Sequence, residues 1–169
     1  MSQNLILNST QIEHKIRRIA YQIYETFPNE KEVVIAGING NGYVFAEKLT
    51  KVLSEISPIQ VLICEIKINK KKPMEKIGTS LSENEYKNKA VVIVDDVLHS
   101  GTTLIYGVKH FLEVPLKKLK TAVLVDRSHK KYPIKADFKG ISLSTSLQEH
   151  VSVSFDKDSP GIYLGLLVY

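Results

Sequence analysis

Continuously apolar runs and amphipathic stretches alternate along this chain. Four consecutive apolar residues occur at 33–36, within 59–68, at 91–94 and within 119–125. A strand that is buried on both faces of a parallel sheet is apolar at every position, so we predict a strand at each of these runs. Helical patterns lie between several of the runs. This alternation predicts an α/β fold with a central, mostly parallel sheet flanked by helices.

Three stretches carry apolar residues at the spacing of an α-helix. The first helix is predicted to begin near Ser9 and Thr10, with Thr10 and Glu13 as a capping-box pair, and to end before Pro28. The predicted packing faces are Ile12, Ile16, Ile19, Ala20 and Ile23 in the first helix, Val44, Phe45, Leu49, Val52 and Leu53 in the second, and Leu104, Val108, Phe111 and Leu112 in the third. The polar stretch 69–88 is predicted to be a loop, and the residues from Pro133 onward to form short β pieces.

The loops that follow the predicted strands are expected to meet at one edge of the sheet. Right-handed crossovers place every loop after a parallel strand at the same edge, which is where ligands bind in such folds. Three loops are involved, at 37–42, 95–103 and 126–131. Their convergence predicts a single site.

The strand at 91–94 leads into two carboxylates and then into a short polar loop. Asp95 and Asp96 end the strand, and the loop before the third helix contains His99, Ser100, Gly101, Thr102 and Thr103. Backbone N–H groups at a helix N-terminus bind phosphate, and hydroxyl side chains can donate to it. Two neighbouring carboxylates suit a ligand with vicinal hydroxyls, or one that arrives with Mg²⁺. The segment therefore predicts a site for a phosphorylated sugar.

The loop after the first predicted strand is rich in glycine. It contains Gly37, Asn39, Gly40, Asn41 and Gly42. Glycines at a turn between a strand and a helix allow the backbone to approach an anion closely. Their spacing differs from the G-x-G-x-x-G of dinucleotide sites, which argues against a nicotinamide fold. An ordinary tight turn remains the alternative to an anion-binding loop.

Composition and charge narrow the class of protein. The chain has 169 residues, of which 43% are hydrophobic and 24% are charged, and we expect one domain over residues 1–169. Cys64 is the single cysteine, and it is expected to be a small core residue in a cytoplasmic protein. We expect no membrane span and no signal peptide. The net charge of +5 mildly favours anionic ligands and is compatible with nucleic acid.

The strand, acidic pair and phosphate loop together resemble the motif that binds 5-phosphoribosyl-1-pyrophosphate (PRPP) in the type I phosphoribosyltransferases. The resemblance implies that Asp95 and Asp96 contact the ribose hydroxyls and that residues 99–103 surround the 5′-phosphate. It also implies that the 37–42 loop faces pyrophosphate. The implied fold is the type I phosphoribosyltransferase fold, with a small hood beside the central sheet.

The second half of the chain is similar to one subfamily, the bifunctional pyrimidine operon regulators that are also uracil phosphoribosyltransferases. The similarity is carried by residues 124–140, LVDRSHKKYPIKADFKG, and by Ser144, Thr145 and Ser146. In that subfamily this segment lines the base pocket, which implies that Asp126 and Arg127 lie near the base. A homodimer or higher homo-oligomer is implied as well.

Three departures from the subfamily pattern matter. Gly40 and Asn41 replace a Thr-Arg pair in the pyrophosphate loop, so a bidentate donor to pyrophosphate is missing. Lysines at 70–72 stand in the loop that covers PRPP, where the subfamily has an arginine. His99 and Thr102 stand where the subfamily has Tyr and Arg. These departures weaken the case for fast turnover more than the case for PRPP binding.

Two other functions remain open from the sequence. His99 occupies the place where purine-type relatives carry a carboxylate general base, which keeps a hypoxanthine or guanine substrate as an alternative. For uracil chemistry the favoured role of the His99 side chain is to cap the phosphate loop. A weakly catalytic, nucleotide-sensing regulator that binds RNA is the second alternative. Its basic surface would consist of Lys15, Arg17, Arg18, His129, Lys130 and Lys131.

The resemblance implies a phosphoribosyltransferase of pyrimidine salvage. We expect it to bind PRPP with Mg²⁺, transfer the phosphoribosyl group to uracil and release pyrophosphate. Its partners would be PRPP, a nucleobase and a nucleoside monophosphate. Asp95, Asp96 and His99 are the predicted catalytic residues.

Overall fold

The computed structural model describes residues 3–127 and 129–166, and it has the expected α/β architecture. The strands are β1 (Asn4–Leu7), β2 (Glu32–Ile38), β3 (Gln60–Lys67), β4 (Gly78–Thr79), β5 (Ala90–Leu98), β6 (Lys118–Asp126), β7 (Phe138–Ser142), β8 (Glu149–Ser154) and β9 (Gly161–Leu166). The helices are α1 (Ser9–Thr26), α2 (Asn41–Ile56), α3 (Glu83–Tyr86) and α4 (Thr102–Phe111). None of the described helices is long and apolar enough to cross a membrane.

The main sheet has six strands in the order β4-β3-β2-β5-β6-β7. Strands β3, β2, β5, β6 and β7 are parallel, and only the two-residue β4 pairs antiparallel, with β3. The four predicted strands are thus confirmed, and they form the centre of the sheet. Their apolar runs are buried because helices cover both faces: α1 and α2 pack on one face, and α4 packs on the other.

A second, three-stranded antiparallel sheet has the order β1-β9-β8 and packs against α1 and β5. It forms the small hood that the family resemblance implies. Its strands β8 and β9 fall in the region predicted to form short β pieces. The strand β1 was not predicted from the sequence.

The helix predictions are right in position and wrong in some details. Helix α1 begins at Ser9, but its capping box is formed by Asn8 and Gln11 rather than by Thr10 and Glu13. Leu112, predicted to lie on the packing face of α4, is 59% exposed because the helix ends at Phe111. The stretch 69–88 is mostly loop but also contains β4 and the single turn α3.

Candidate active site

The predicted loops converge at the carboxyl edge of the main sheet, where β2, β5 and β6 lie side by side. The Arg127 N–H donates to the Leu98 carbonyl at 3.0 Å, which joins the ends of β6 and β5. The Lys131 N–H donates to the Ser100 carbonyl at 2.7 Å. Of the predicted 126–131 loop, position 128 lies outside the described residues. The described residues of the three loops lie side by side at this edge of the sheet.

The polar loop at 99–103 opens directly into the N-terminus of α4. Gly101 has φ +84° and precedes the first residue of the helix, and the Ser100 and Thr102 hydroxyls are 2.9 Å apart. A cavity of about 60 Å³ is lined by the whole loop together with Asp95, Val97, Leu98, Leu104 and Val123. The first amides of a helix have no partner within the helix and carry its positive dipole end. The cavity therefore has the chemistry of a phosphate site.

Glycine is required at position 101 for two reasons. Its positive φ is disfavoured for residues with a side chain, and a Cβ there would overlap the Ile134 side chain. Ile134 belongs to the segment that follows Lys131 and packs over the loop. Sequence reasoning missed this cover, because nothing in the local pattern of residues 131–134 shows which loop they contact.

The two carboxylates at the end of β5 differ in environment. Asp95 is 5% exposed, and its Oδ1 accepts the Asp96 N–H at 2.9 Å. Asp96 is half-buried, and its Oδ1 accepts the Val97 N–H at 2.9 Å. Burial raises the pKa of Asp95 well above its usual value, and the charge of Asp96 raises it further. The positive charge of Lys70 acts in the opposite direction on this pKa.

The raised pKa of Asp95 predicts that Asp95→Asn stabilises the protein at neutral pH. The folded chain binds the Asp95 proton more tightly than the unfolded chain, so ionisation of this group lowers the free energy of unfolding as pH rises from the usual aspartate range. Asparagine does not ionise and can still accept the Asp96 N–H. We therefore expect a higher melting temperature at pH 7 and an unchanged one near pH 3, measured by thermal unfolding. A lower melting temperature at pH 7 would contradict the assignment.

The glycine turn after β2 connects that strand to α2. Gly40 has φ +89° and caps α2, which begins at Asn41. Gly42 packs so closely on β5 that a Cβ at this position would lie 2.8 Å from Asp95 Oδ1. Gly37 lies inside β2 rather than in the turn, against α2. The turn thus stands directly beside the acidic pair, as the sequence predicts.

The two asparagines of the turn contact other parts of the protein. The Asn39 side-chain oxygen accepts the Ile68 N–H at 3.3 Å, and the Asn39 N–H donates to the Ile66 carbonyl at 2.8 Å. The Asn41 amide donates to the Val153 carbonyl of β8 at 2.7 Å. Their donors are thus used in part for holding the end of β3 and the hood. The turn itself still offers an anion its other backbone N–H groups and the Asn39 side-chain NH₂.

The end of β6 contributes two buried charged residues. Asp126 is 4% exposed and lies 3.8 Å from the Lys130 ammonium and 3.9 Å from that of Lys139. Arg127 is 5% exposed, and its guanidinium faces the 145–149 segment. Burial lowers the pKa of Arg127. Asp126 therefore borders the site, while the Arg127 side chain turns towards the segment that leads into β8.

His99 is an exposed residue at the start of the 99–103 loop. Its ring lies 5.9 Å from that of His129 in an edge-to-face arrangement, and His129 Nε2 is 2.5 Å from the Thr145 carbonyl. Partial burial lowers the pKa of His99, and the nearby positive charges of Arg127, His129, His150 and Lys131 lower it further. His99 is therefore held in the neutral form at pH 7.

Several of the basic side chains predicted to form an RNA-binding surface contact other residues of the protein. The Arg18 guanidinium donates to the Lys139 and Gly140 carbonyls of β7, and Arg17 lies over the Tyr21 ring. His129 bonds to Thr145, as described above. Lys130 lies 3.8 Å from Asp126. Four of the six residues predicted for this surface thus have side-chain contacts within the protein.

Comparisons of the sequence with known proteins all point to the same family. The sequence profile of the family described as "Phosphoribosyl transferase domain" matches residues 2–158. The "Bifunctional protein PyrR" of Staphylococcus saprophyticus is 30% identical over 93% of this chain and 94% of that protein. The protein of the same description from Fusobacterium nucleatum is 31% identical over 90% of this chain and 91% of that protein.

Solved structures show the same fold at lower identity. A hypoxanthine-guanine phosphoribosyltransferase of Bacillus anthracis superposes with a TM-score of 0.78 at 23% identity, over 95% of each chain. A hypoxanthine phosphoribosyltransferase of Trypanosoma cruzi superposes with a TM-score of 0.79 at 17% identity, over 97% of this chain and 91% of that chain. At these identities the likeness concerns the fold alone.

Proposed function

Because this chain belongs to the phosphoribosyltransferase family and is similar to the bifunctional PyrR proteins, we propose that it binds PRPP and transfers the phosphoribosyl group to uracil. One observation carries the proposal. The acidic pair of β5 lies beside a helix N-terminus whose polar loop lines a small cavity. This arrangement offers donors for a phosphate and acceptors for sugar hydroxyls within a single strand–loop–helix unit.

The 5′-phosphate would bind in the cavity of the 99–103 loop. The amides of the first turn of α4 point along the helix dipole towards it, and the Thr103 hydroxyl is available as a further donor. The Ser100 and Thr102 hydroxyls already bond to each other, which holds them in place at the cavity. Gly101 lets the backbone turn without a side chain in the way.

Asp95 and Asp96 would accept hydrogen bonds from the ribose hydroxyls. Their oxygens also suit Mg²⁺, which commonly takes one or two protein carboxylates and completes its coordination with water and substrate phosphates. Among the described residues no three His, Cys, Asp or Glu side chains come together as a metal site. The two carboxylates fit a Mg²⁺ ion carried by PRPP, which would neutralise part of the pyrophosphate charge.

Pyrophosphate would face the glycine turn at 39–42. The turn lacks the arginine of the subfamily, and its two asparagines have contacts elsewhere. Lys70 supplies positive charge near the turn. The hydrogen bond from the Ile68 N–H to Asn39 places the loop after β3 against the turn. The charge of Lys70 also acts to lower the pKa of Asp95, so its ammonium is close to the acidic pair. Loss of one preorganised donor at such a site typically costs about 10²–10³ in rate. We therefore propose slow turnover.

The reaction forms a bond between a ring nitrogen of the base and C1 of the ribose. The bond from C1 to the pyrophosphate oxygen breaks, pyrophosphate leaves with the electron pair, and the ring nitrogen loses its proton. The transition state resembles an oxocarbenium ion, so catalysis consists largely of holding PRPP and stabilising the leaving group. Neutral His99 stands at the open end of the loop, where it would contact the base and accept this proton.

The choice of uracil rests on sequence similarity to the bifunctional PyrR proteins. We further propose a homodimer or higher homo-oligomer and a cytoplasmic site of action. The purine alternative remains an outcome of the experiment below, since His99 occupies the position of the catalytic general base in purine-type relatives. RNA binding has less support, because Arg18 and His129 are occupied within the protein.

A transfer assay with a panel of labelled bases tests the proposal. We expect PRPP, Mg²⁺ and labelled uracil to give uridine monophosphate and one equivalent of pyrophosphate, slowly. Hypoxanthine and guanine serve as the comparison in the same assay. Faster conversion of a purine would overturn the choice of base, and no conversion of any base would overturn the transferase proposal.

A further inference from the structure

The segment 131–134 packs against the 99–103 loop and holds one of its carbonyl groups. The Lys131 N–H donates to the Ser100 carbonyl at 2.7 Å, and the Tyr132 N–H approaches the same oxygen at 3.4 Å. Both donors are backbone groups, so the contact does not depend on the two side chains, which are exposed. The Ser100 carbonyl is therefore fixed on the side of the loop that faces the segment.

The Ile134 side chain makes a second contact with the loop. It lies so close to Gly101 that a Cβ at position 101 would overlap it. The Ile134 N–H donates to the Tyr132 carbonyl at 2.8 Å across Pro133, whose ring restricts the backbone of this tight turn. Ile134 also packs against the apolar cluster between the main sheet and α4, so the core sets its position.

The residues that follow Ile134 anchor the segment to β6. The Thr121 hydroxyl donates to the Lys135 carbonyl at 2.7 Å, and the Thr121 N–H donates to Asp137 Oδ2 at 2.9 Å. The Asp137 N–H donates to the Thr121 carbonyl at 3.0 Å. Thr121 is 4% exposed and lies within β6, so this anchor belongs to the main sheet. The segment 131–134 thus connects the main sheet to the loop.

These contacts set the direction of the peptide group between Ser100 and Gly101. This peptide bond is trans, so its C=O and its N–H point in opposite directions. Because the segment 131–134 holds the carbonyl, the Gly101 N–H points away from that segment. Gly101 lines the cavity of the 99–103 loop, whereas residues 131–134 do not line it. With the peptide turned the other way, the carbonyl oxygen would face a bound phosphate and repel it.

We infer that the segment 131–134 is a clasp that preorganises the 99–103 loop for the 5′-phosphate, with Ile134 as its positioning side chain. The clasp does not touch the phosphate. It keeps the Ser100 carbonyl away from the phosphate and the Gly101 N–H directed at it. The identity of this ligand group rests on the proposed function, whereas the bonds of the clasp can be measured without any ligand.

The test is Ile134→Ala, with Ile56→Ala as the matched control. Both isoleucines are half-buried and pack against a hydrophobic cluster. Ile56 ends α2, just before β3 begins, and so lies at the edge of the main sheet opposite the site. Ribose 5-phosphate is the probe, because it carries the 5′-phosphate without pyrophosphate.

Loss of one preorganised donor to a charged group corresponds to about tenfold or more in affinity. We therefore expect the dissociation constant of ribose 5-phosphate and the KM for PRPP to rise about tenfold in Ile134→Ala. The KM for uracil at saturating PRPP should stay unchanged, which a general loss of structure would not produce. Neither the dissociation constant nor the two KM values should change in Ile56→Ala.

A second pair of variants isolates the backbone bond of the clasp. Lys131→Pro removes the N–H that donates to Ser100, and Lys131→Ala keeps this N–H while removing the same exposed charge. Loss of one neutral hydrogen bond corresponds to about two- to tenfold. We expect Lys131→Pro to bind ribose 5-phosphate weaker than Lys131→Ala by this factor, and the comparison remains available if Ile134→Ala does not fold.

Amide hydrogen exchange of the ligand-free chain measures the clasp without its ligand. We expect the Lys131 and Tyr132 amides to exchange about two- to tenfold faster in Ile134→Ala than in Ile56→Ala. Exchange rates and ribose 5-phosphate affinities that are equal in these two variants would overturn the clasp. A chain that binds ribose 5-phosphate as expected but transfers no base would overturn the proposed function instead. Failure of the unmodified chain to bind ribose 5-phosphate would overturn both.

Discussion

Replacing Thr103 by valine is expected to weaken binding of both PRPP and uridine monophosphate by about ten- to a hundredfold. Thr103 lines the cavity at the N-terminus of α4, and its hydroxyl would donate to the 5′-phosphate that both ligands carry. A hydrogen bond to a charged group contributes about 1.5–3 kcal/mol, which gives this range. Valine has nearly the same shape and is also β-branched, so the helix start is preserved. Calorimetric titration of both ligands measures the effect.

Thr50→Val is the matched control for Thr103→Val. Thr50 lies on α2, and its hydroxyl is buried without a hydrogen-bond partner among the described residues. Its replacement removes the same atom from a helix outside the site and should leave both affinities unchanged. If Thr103→Val bound both ligands as tightly as Thr50→Val does, the phosphate would not lie in the 99–103 loop.

Replacing Gly42 by alanine is expected to reduce both stability and PRPP affinity. The added Cβ would lie 2.8 Å from Asp95 Oδ1 and 3.2 Å from both Asp95 Cα and Ile38 Cβ. Either the first turn of α2 or the end of β5 must move, and overpacking of this kind costs about 1–3 kcal/mol. Either movement would separate the glycine turn at 39–42 from the acidic pair. We expect PRPP affinity to fall by about tenfold or more, since one charge-assisted contact contributes that much.

Gly107→Ala is the control that separates this effect from the loss of any helical glycine. A Cβ at Gly107 would meet Ile38 and Ile93 at 3.6 Å and beyond, which is ordinary contact. Alanine also has the better helix propensity, by about 0.5–1 kcal/mol. Chemical denaturation should therefore show Gly107→Ala to be as stable as the unmodified chain or more so. Unaltered stability and PRPP affinity in Gly42→Ala would show that the turn and the acidic pair are not packed as described.

The sequence predicts the main sheet and the loop between β5 and α4 because both depend on local patterns. Strands buried on two faces must be apolar throughout, as residues 91–94 are. A strand that ends in two carboxylates before a Ser-Gly-Thr-Thr loop can be recognised from one short segment. The hood strand β1 has no such signal. It is four residues long and pairs with β9 at the other end of the chain, so only the folded structure shows it.

The partners of polar side chains are the other part that the sequence does not determine. Asn41 was expected to face pyrophosphate, and its amide donates to Val153 in the hood. Arg127 was expected beside the base, and its guanidinium holds the 145–149 segment. Residue type shows that a donor is present, but the acceptor lies 112 residues away in the first case and about 20 in the second. Such pairs follow from tertiary packing alone.

Calorimetric titration of PRPP into the unmodified chain tests most directly whether Asp95, Asp96 and the 99–103 loop form a phosphoribosyl site. We predict one PRPP per chain, tighter binding when Mg²⁺ is present, and displacement of PRPP by excess uridine monophosphate, because both ligands would place their 5′-phosphate in the same cavity. No binding of PRPP, or PRPP binding that excess uridine monophosphate does not displace, would contradict this site.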